Sequence, residues 1–447
     1  MDLRTSPLLT DLYQLNMVQA YLDHGMTETA VFEFFARKLP PRRGFLMAAG
    51  LEHVLAFLET VRFGEDELAW LRGSGRFDAR MLDYLTGFHF DGDVDALPEG
   101  TVFFTDEPII RITAPLPAAQ LVETRLINLL HLPVLAASKA ARMVLAADGR
   151  PLVDFGFRRA HGAEAGMFAA RAAYIAGFAG TATVAAEPAF GVPIFGTMAH
   201  AFVQAHDDES AAFEAFARSR PDNVVLLIDT YDTEAGARKV VDLAPRLAAD
   251  GIKVAGVRLD SGDLAAHAVA VRRILDEGGL GHVRILASGG IDEDAIARMV
   301  AAGAPIDGFG VGTSLVTSED VPALDCAYKL QEYAGTPRRK KSEGKATWPG
   351  RKQVFRRRDA DGRMAGDTVT VHADTLPGVP LIRPLVRNGQ RVATQPTLAE
   401  SRAHAAAELE ALPERLRRLQ PGTPYPVTIA PALRALAEAS DRRLAAE

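Results

Sequence analysis

The chain has 447 residues, 48% hydrophobic and 24% charged, which are the proportions of a folded globular protein of two or three domains and exclude a disordered or fibrous chain. Against 57 acidic side chains stand 50 basic ones, a formal net charge of -7, so the whole molecule has no electrostatic reason to seek nucleic acid or an anionic membrane, and any anion site must be local. The single cysteine, Cys326, excludes an intramolecular disulfide, no Cys/His spacing suggests zinc, and neither an export leader nor an uncharged apolar run near eighteen residues is present, so a cytoplasmic location away from membranes is expected.

Residues 1–115 mix helical patterns with alternating segments such as TVFFTDEPIIRIT, which predict strands of an N-terminal α+β domain. The stretch PAAQLVETRLINLLH carries apolar residues at helical spacing and predicts a long packing helix opening a second domain over 116–335. Within it, short apolar runs recur at VVLLIDTYD, KVAGVRLDSGD, VRILASGGID and PIDGFGVGTSL, each ending in a polar or glycine-rich cluster. From Asp229 to Arg258 is 29 residues, from Arg258 to Ser288 is 30 and from Ser288 to Gly312 is 24, one strand and one helix per step. Between the runs lie helical patterns such as TEAGARKVVDLAPRLAAD and DEDAIARMVAAG. Such alternation builds a parallel sheet or β/α barrel, whose reactive groups sit at the C-terminal ends of strands. The polar clusters occupy those ends.

Beyond about residue 335 the composition shifts to a tract holding ten Lys or Arg and one Glu between Arg338 and Arg358. Strand candidates and a terminal helix ending in RLAAE follow, predicting a C-terminal extension over 336–447 that packs on the N-terminal domain. Three roles are open to the basic tract: solvated strand faces, a nucleic-acid patch, or a lid over an anion-rich site.

These residues, read together, resemble the nicotinate phosphoribosyltransferase family. Ten motifs in family order carry the resemblance: TDLYQLNMVQAYLDHGM, VFEFFARKLPPRRGFLMAAGLE, QLVETRLINLLH, DFGFRRAHG, FGTMAHAF, IDTYDT, VRLDSGDL, SGGIDE, GFGVGTSL and SEGKATWPGRKQVFR. The resemblance implies an α/β protein with a type II phosphoribosyltransferase fold, an incomplete β/α barrel flanked by an α+β domain built from both termini. It also implies a homodimer with shared active sites, use of Mg²⁺, and ATP hydrolysis coupled to the joining of nicotinate and phosphoribosyl pyrophosphate, a step of NAD salvage. The match of the KATWPGRKQVFR core to the family argues against a nucleic-acid graft.

That reaction displaces pyrophosphate from the anomeric carbon by the pyridine nitrogen, which is unprotonated near neutral pH. No general base is needed, and catalysis must come from positioning and electrostatics. The resemblance marks His200 as a phosphorylation site; a hydrogen-bonded core histidine is the plain alternative. Arg158 and Arg258 match arginines that hold phosphates and the nicotinate end, with Arg159 able to replace its neighbour; a guanidinium fork suits both anions. Asp229 and Asp260 are expected to hold ribose hydroxyls or Mg²⁺ through water, unless they cap helices or orient an arginine. Ser288, Gly289 and Gly290, with Gly310, Gly312 and Thr313, are expected to offer backbone amides to phosphate, although a glycine loop is often only a tight turn. Tyr13 and Phe155 match an aromatic pair that sandwiches the pyridine, the tyrosine from the other subunit, and Thr197 is expected to line the same pocket. His161 and His206 stay unassigned.

The nearest rival substrate is nicotinamide, with quinolinate a further one, and a catalytically dead scaffold is the reading from another class. The nicotinamide-using family places an aspartate against the amide in a GTDT-like segment, where this chain reads Gly180-Thr181-Ala182-Thr183. Alanine there removes an acceptor for the amide and a charge that would repel a carboxylate, so nicotinate is favoured.

Overall fold

The computed structural model describes residues 5–392, 394–420 and 422–446. The chain divides into two compact units, Met1–Ser138 with Ala323–Glu447, and Lys139–Pro322.

The central unit is built on six parallel strands: β1 (Leu152–Asp154), β2 (Gly180–Thr181), β3 (Val224–Leu227), β4 (Val254–Leu259), β5 (Arg284–Ala287) and β6 (Gly308–Val311). Their order is β2-β1-β6-β5-β4-β3, with β2 and β3 at the two edges, so the barrel stays incomplete. All four recurrent apolar runs became strands, and two shorter strands joined the sheet from upstream. Every residue of β3 and of β6 is buried, as expected where helices cover a parallel sheet. Helices α1 (Ala163–Ala176), α2 (His200–Gln204), α3 (Glu209–Ser219), α4 (Thr233–Ala249), α5 (Leu264–Glu277), α6 (Glu293–Ala301) and α7 (Thr313–Val316) fill the connections.

Aspartate side chains set the helix starts. Asp232 accepts the Ala235 amide at the head of α4, Asp263 the Ala266 amide at α5 and Asp292 the Ala295 amide at α6. In IDTYDT and LDSGD the second aspartate is therefore the cap, and the first, Asp229 or Asp260, is left at the strand end.

The unit made from both ends of the chain holds a seven-stranded antiparallel sheet in which Thr29–Ala36 lies between Cys326–Tyr333 and Pro108–Pro115. A four-stranded sheet pairs Lys352–Arg358 with Met364–Val371. The strands expected in TVFFTDEPIIRIT are Val102–Phe103 and Pro108–Pro115, and the terminal helix runs Pro431–Ala446, its expected last residue Glu447 lying outside the described residues. Inside this unit Arg356 is enclosed by Asp367 and Glu408, each with a carboxylate oxygen 2.6 Å away.

Between the two units' sequences runs the helix Glu123–Ala147, which is long and apolar enough to cross a membrane by length and composition alone. Most of its apolar stretch is buried, and its Lys139 pairs with Glu293 at 2.7 Å and Asp320 at 2.9 Å.

Candidate active site

The strand ends of the central unit converge on Arg258, the penultimate residue of β4. Its side chain is 13% exposed, and both terminal nitrogens are engaged. Nη1 donates to Ser288 Oγ at 3.2 Å and Asp260 Oδ1 at 3.3 Å, and Nη2 donates to the Met198 carbonyl at 2.7 Å. The guanidinium carbon stands 5.9 Å from the centroid of the Phe155 ring. Nε is buried and has no hydrogen-bond partner among the described residues. A buried donor without an acceptor is costly, so this N–H is suited to an acceptor on a bound molecule.

Two carboxylates flank the arginine. Asp229 Oδ2 accepts the Asp260 amide at 2.8 Å and the Ser261 hydroxyl at 2.7 Å, while its Oδ1 is buried with no hydrogen-bond partner among the described residues. Asp260 Oδ1 accepts the Ser288 hydroxyl as well as Arg258. His200, the first residue of α2, faces both acids: its Nε2 is 3.9 Å from Asp229 Oδ1 and 3.8 Å from Asp260 Oδ2. Its Nδ1 lies 3.2 Å from the Thr230 hydroxyl, and the ring is 38% exposed. The imidazole is thus held by one nitrogen and open at the other, which is unlike a core histidine.

Phe155, one residue beyond β1, lines a cavity of about 310 Å³ inside the half-barrel together with Phe195, Thr197, Arg258 and Gly310. Only glycine fits at position 310, because a Cβ there would stand 2.5 Å from the Phe155 ring. Gly289 is also obligatory: its φ is +92°, and a Cβ would lie 2.0 Å from the Asp260 carbonyl. Gly312 precedes the single turn α7 after β6, and Gly289–Gly290 follow the neighbouring β5, so the two glycine loops stand at adjacent strand ends; the Ser288 amide, expected to be free for phosphate, is instead spent on the Leu259 carbonyl at 2.8 Å.

The structure therefore brings together His200, Asp229, Asp260, Arg258, Ser288 and Phe155, with Thr197 in the cavity wall and the two glycine loops beside them. Arg158 and Arg159 lie on the exposed 3-10 turn Phe157–Arg159, where Arg158 still acts electrostatically on Arg258. Ala182 is exposed at the end of β2, its amide donating to the Asp154 carbonyl at 2.7 Å. Tyr13 belongs to the other compact unit, half-exposed on the helix Leu12–Asp23. Sequence reasoning missed Thr230, Ser261 and the Met198 carbonyl. The first two stand inside IDTYDT and RLDSGD, and a hydroxyl beside each acid was the available signal; a backbone carbonyl leaves none.

The family described as "Nicotinate phosphoribosyltransferase (NAPRTase) family" matches residues 151–344, its N-terminal domain residues 8–131 and its C-terminal domain residues 377–437. A nicotinate phosphoribosyltransferase of Mycobacterium tuberculosis, pncB2, is 53% identical over 424 residues, covering 94% of this chain and 91% of the relative. One of Bacillus subtilis is 40% identical over 357 residues, covering 78% and 72%. The crystal structure of human nicotinic acid phosphoribosyltransferase superposes with a TM-score of 0.86 at 29% identity, over 96% of this chain and 99% of that one. A nicotinate-nucleotide pyrophosphorylase from Pyrococcus furiosus gives 0.75 at 26% identity, over 92% and 97%.

Proposed function

The chain belongs to the nicotinate phosphoribosyltransferase family and makes nicotinate mononucleotide and pyrophosphate from nicotinate and phosphoribosyl pyrophosphate; on that premise we propose that ATP drives the reaction through a phosphorylated His200. The observation that carries this proposal is the imidazole held at Nδ1 by Thr230, with Nε2 turned to two carboxylates. With Nδ1–H donating to the threonine, Nε2 keeps the lone pair that accepts the phosphoryl group of ATP as ADP leaves. Hydrolysis of the phosphohistidine after product formation then links ATP to the main reaction through changed affinities.

In the transfer itself the C1′–pyrophosphate bond breaks as the pyridine nitrogen bonds to C1′, and no proton need be removed. Phe155 supplies the ring face, and the free Nε–H of Arg258 is an unspent donor for the nicotinate carboxylate. The amides of Gly289–Gly290 and Gly312–Thr313 receive phosphate, the Ser288 amide being spent on the Leu259 carbonyl. Arg158 adds positive charge at the rim. Mg²⁺ takes one or two carboxylates and fills its remaining positions with water and phosphate oxygens. Asp229 and Asp260 suit it, the unpartnered Oδ1 of Asp229 most directly. Bound there, the ion would neutralise the leaving pyrophosphate.

Nicotinate rather than nicotinamide is the substrate that Ala182 favours. By strand alternation Ala182 shares the face of Phe155, since Asp154 pairs with Thr181, and an acid there would confront the carboxylate. Tyr13 is assigned to the second face of the pyridine in a homodimer, reaching the partner's site. Lys352–Arg358 is a paired strand with Lys352 and Arg356 buried, so that half of the basic tract is sheet and no lid, and the enzyme works in the cytoplasm.

The test is His200→Ala assayed with nicotinate, phosphoribosyl pyrophosphate and Mg²⁺, with and without ATP. We expect ATP stimulation to vanish while slow ATP-independent transfer persists. Full ATP-coupled activity in the variant contradicts the phosphohistidine.

A further inference from the structure

Two loops at the strand ends are joined by a carboxylate that the reaction does not use. Asp154 is the last residue of β1, paired with Val311 on β6 and Thr181 on β2. Its neighbours Val153 and Phe155 line the cavity, so alternation turns Asp154 to the opposite face, where it is 1% exposed. A carboxylate removed from water must find donors. Here each oxygen has one: Oδ1 accepts the Gly156 amide at 2.8 Å, and Oδ2 accepts the Thr181 hydroxyl at 2.7 Å. That hydroxyl in turn accepts the Thr183 amide at 3.0 Å.

An unbroken line of hydrogen bonds therefore runs from the Thr183 amide through Thr181 and Asp154 to the Gly156 amide. One end lies in the loop that carries Phe155 and Arg158, and the other in the loop that carries Ala182. Both donors point at Asp154, and a carboxylate accepts from both at once; asparagine must turn its NH₂ toward one of them, so the Thr181 hydroxyl would have to rotate its hydrogen away. Burial opposes this choice by pushing the Asp154 carboxyl up to about 6, against the two hydrogen bonds that favour its charge. A strand position that needed only filling would be served by an apolar side chain.

We propose that Asp154 is a positioning residue for substrate discrimination, its carboxylate setting the distance between the Phe155 ring face and the Ala182 wall through the Gly156 amide and the Thr181 hydroxyl. The proposal rests on the reading that the pyridine lies against Phe155 with its carboxylate toward Ala182. Asp154 touches neither substrate nor reacting atom, so its effect is on the fit of one ligand.

The experiment compares Asp154→Asn, Thr181→Val, Thr181→Ser and the Asn/Val double variant, measuring kcat and KM for nicotinate, nicotinamide and phosphoribosyl pyrophosphate. Asp154→Asn and Thr181→Val are each expected to raise the KM for nicotinate about tenfold or more and to narrow its advantage over nicotinamide. kcat and the KM for phosphoribosyl pyrophosphate should stay within about twofold of wild type, well short of the losses that misplacement brings. The double variant should be no worse than the poorer single one, because both break one bond, and Thr181→Ser should restore the wild-type KM. A uniform loss in all parameters, or a lowered melting temperature with an unchanged KM for nicotinate, overturns the proposal. Should Asp154→Asn fail to fold, the Val and Ser pair at Thr181 carries the same test. Ala182→Asp separates the premise from the proposal. If it leaves the KM for nicotinate unchanged, the pocket reading falls and takes the proposal with it. If it raises KM while the Asp154 and Thr181 variants do not, only the proposal falls.

Discussion

Burial works against charge at both Arg258 and Asp154, and the two groups answer it differently. Burial draws the Arg258 guanidinium below its ordinary pKa, Asp260 and Asp229 pull the other way, and Arg158 adds to the lowering. An arginine so treated still carries its charge at neutral pH. Asp154 does not have that margin: burial lifts its pKa from 3.8 to about 6. A raised carboxyl holds its proton more tightly folded than unfolded, so its stabilising contribution is complete below the unfolded value and is lost as pH rises through about 6. Measured against Asp154→Asn in urea, the wild type should lose roughly 1 kcal/mol of relative stability between about pH 5 and 7.5. A difference between the two proteins that stays flat over that range contradicts the assignment. At this scale the sequence was legible in which motif residues meet, as with His200 and Arg258, both beside Asp260. It was silent at Asp154 and Thr230, whose work is to hold a loop or a ring nitrogen and is visible only once their partners are placed.

The strands and caps show why the rim is built as it is. Asp232, Asp263 and Asp292 cap their helices, which frees Asp229 and Asp260 for the site. Gly289 lets the β5 loop pass within reach of the Asp260 carbonyl. Gly289→Ala should cost about 1–3 kcal/mol through its positive φ and the clash, and should also lower kcat/KM at least about tenfold by displacing Asp260 and Ser288. Gly303→Ala, with φ +66° but open space around its Cβ, is the control. It should lose stability alone, and equal activity losses in the two would show that backbone strain, not the site, is responsible. The four β-branched runs were readable as strands because each is several apolar residues long between turn signals. β1 and β2, with three and two residues, are too short to carry a periodic signal.

Across the whole molecule the strand order decides which loops meet. β1 enters the sheet between β2 and β6, so the DFGF loop comes to lie beside both the GTAT loop and the Gly312 turn, although these are distant in sequence. Spacing along the chain foretold a parallel α/β sheet but not that insertion, because register is set by pairing across the sheet. The chain's two ends form one unit, in keeping with a C-terminal extension packed on the N-terminal domain, but the strand Cys326–Tyr333 that joins Thr29–Ala36 lies before the composition shift and gave no such signal. In the proposed reaction one set of strand ends in the central unit holds the pyridine, the sugar and the phosphate together. A crystal structure with nicotinate mononucleotide and Mg²⁺ tests this most directly. The expected result is the pyridine stacked on Phe155 with its carboxylate at Arg258 Nε, and the phosphate on the amides of Gly289–Gly290 and Gly312–Thr313; a mononucleotide seated away from Phe155 and Arg258 would contradict this.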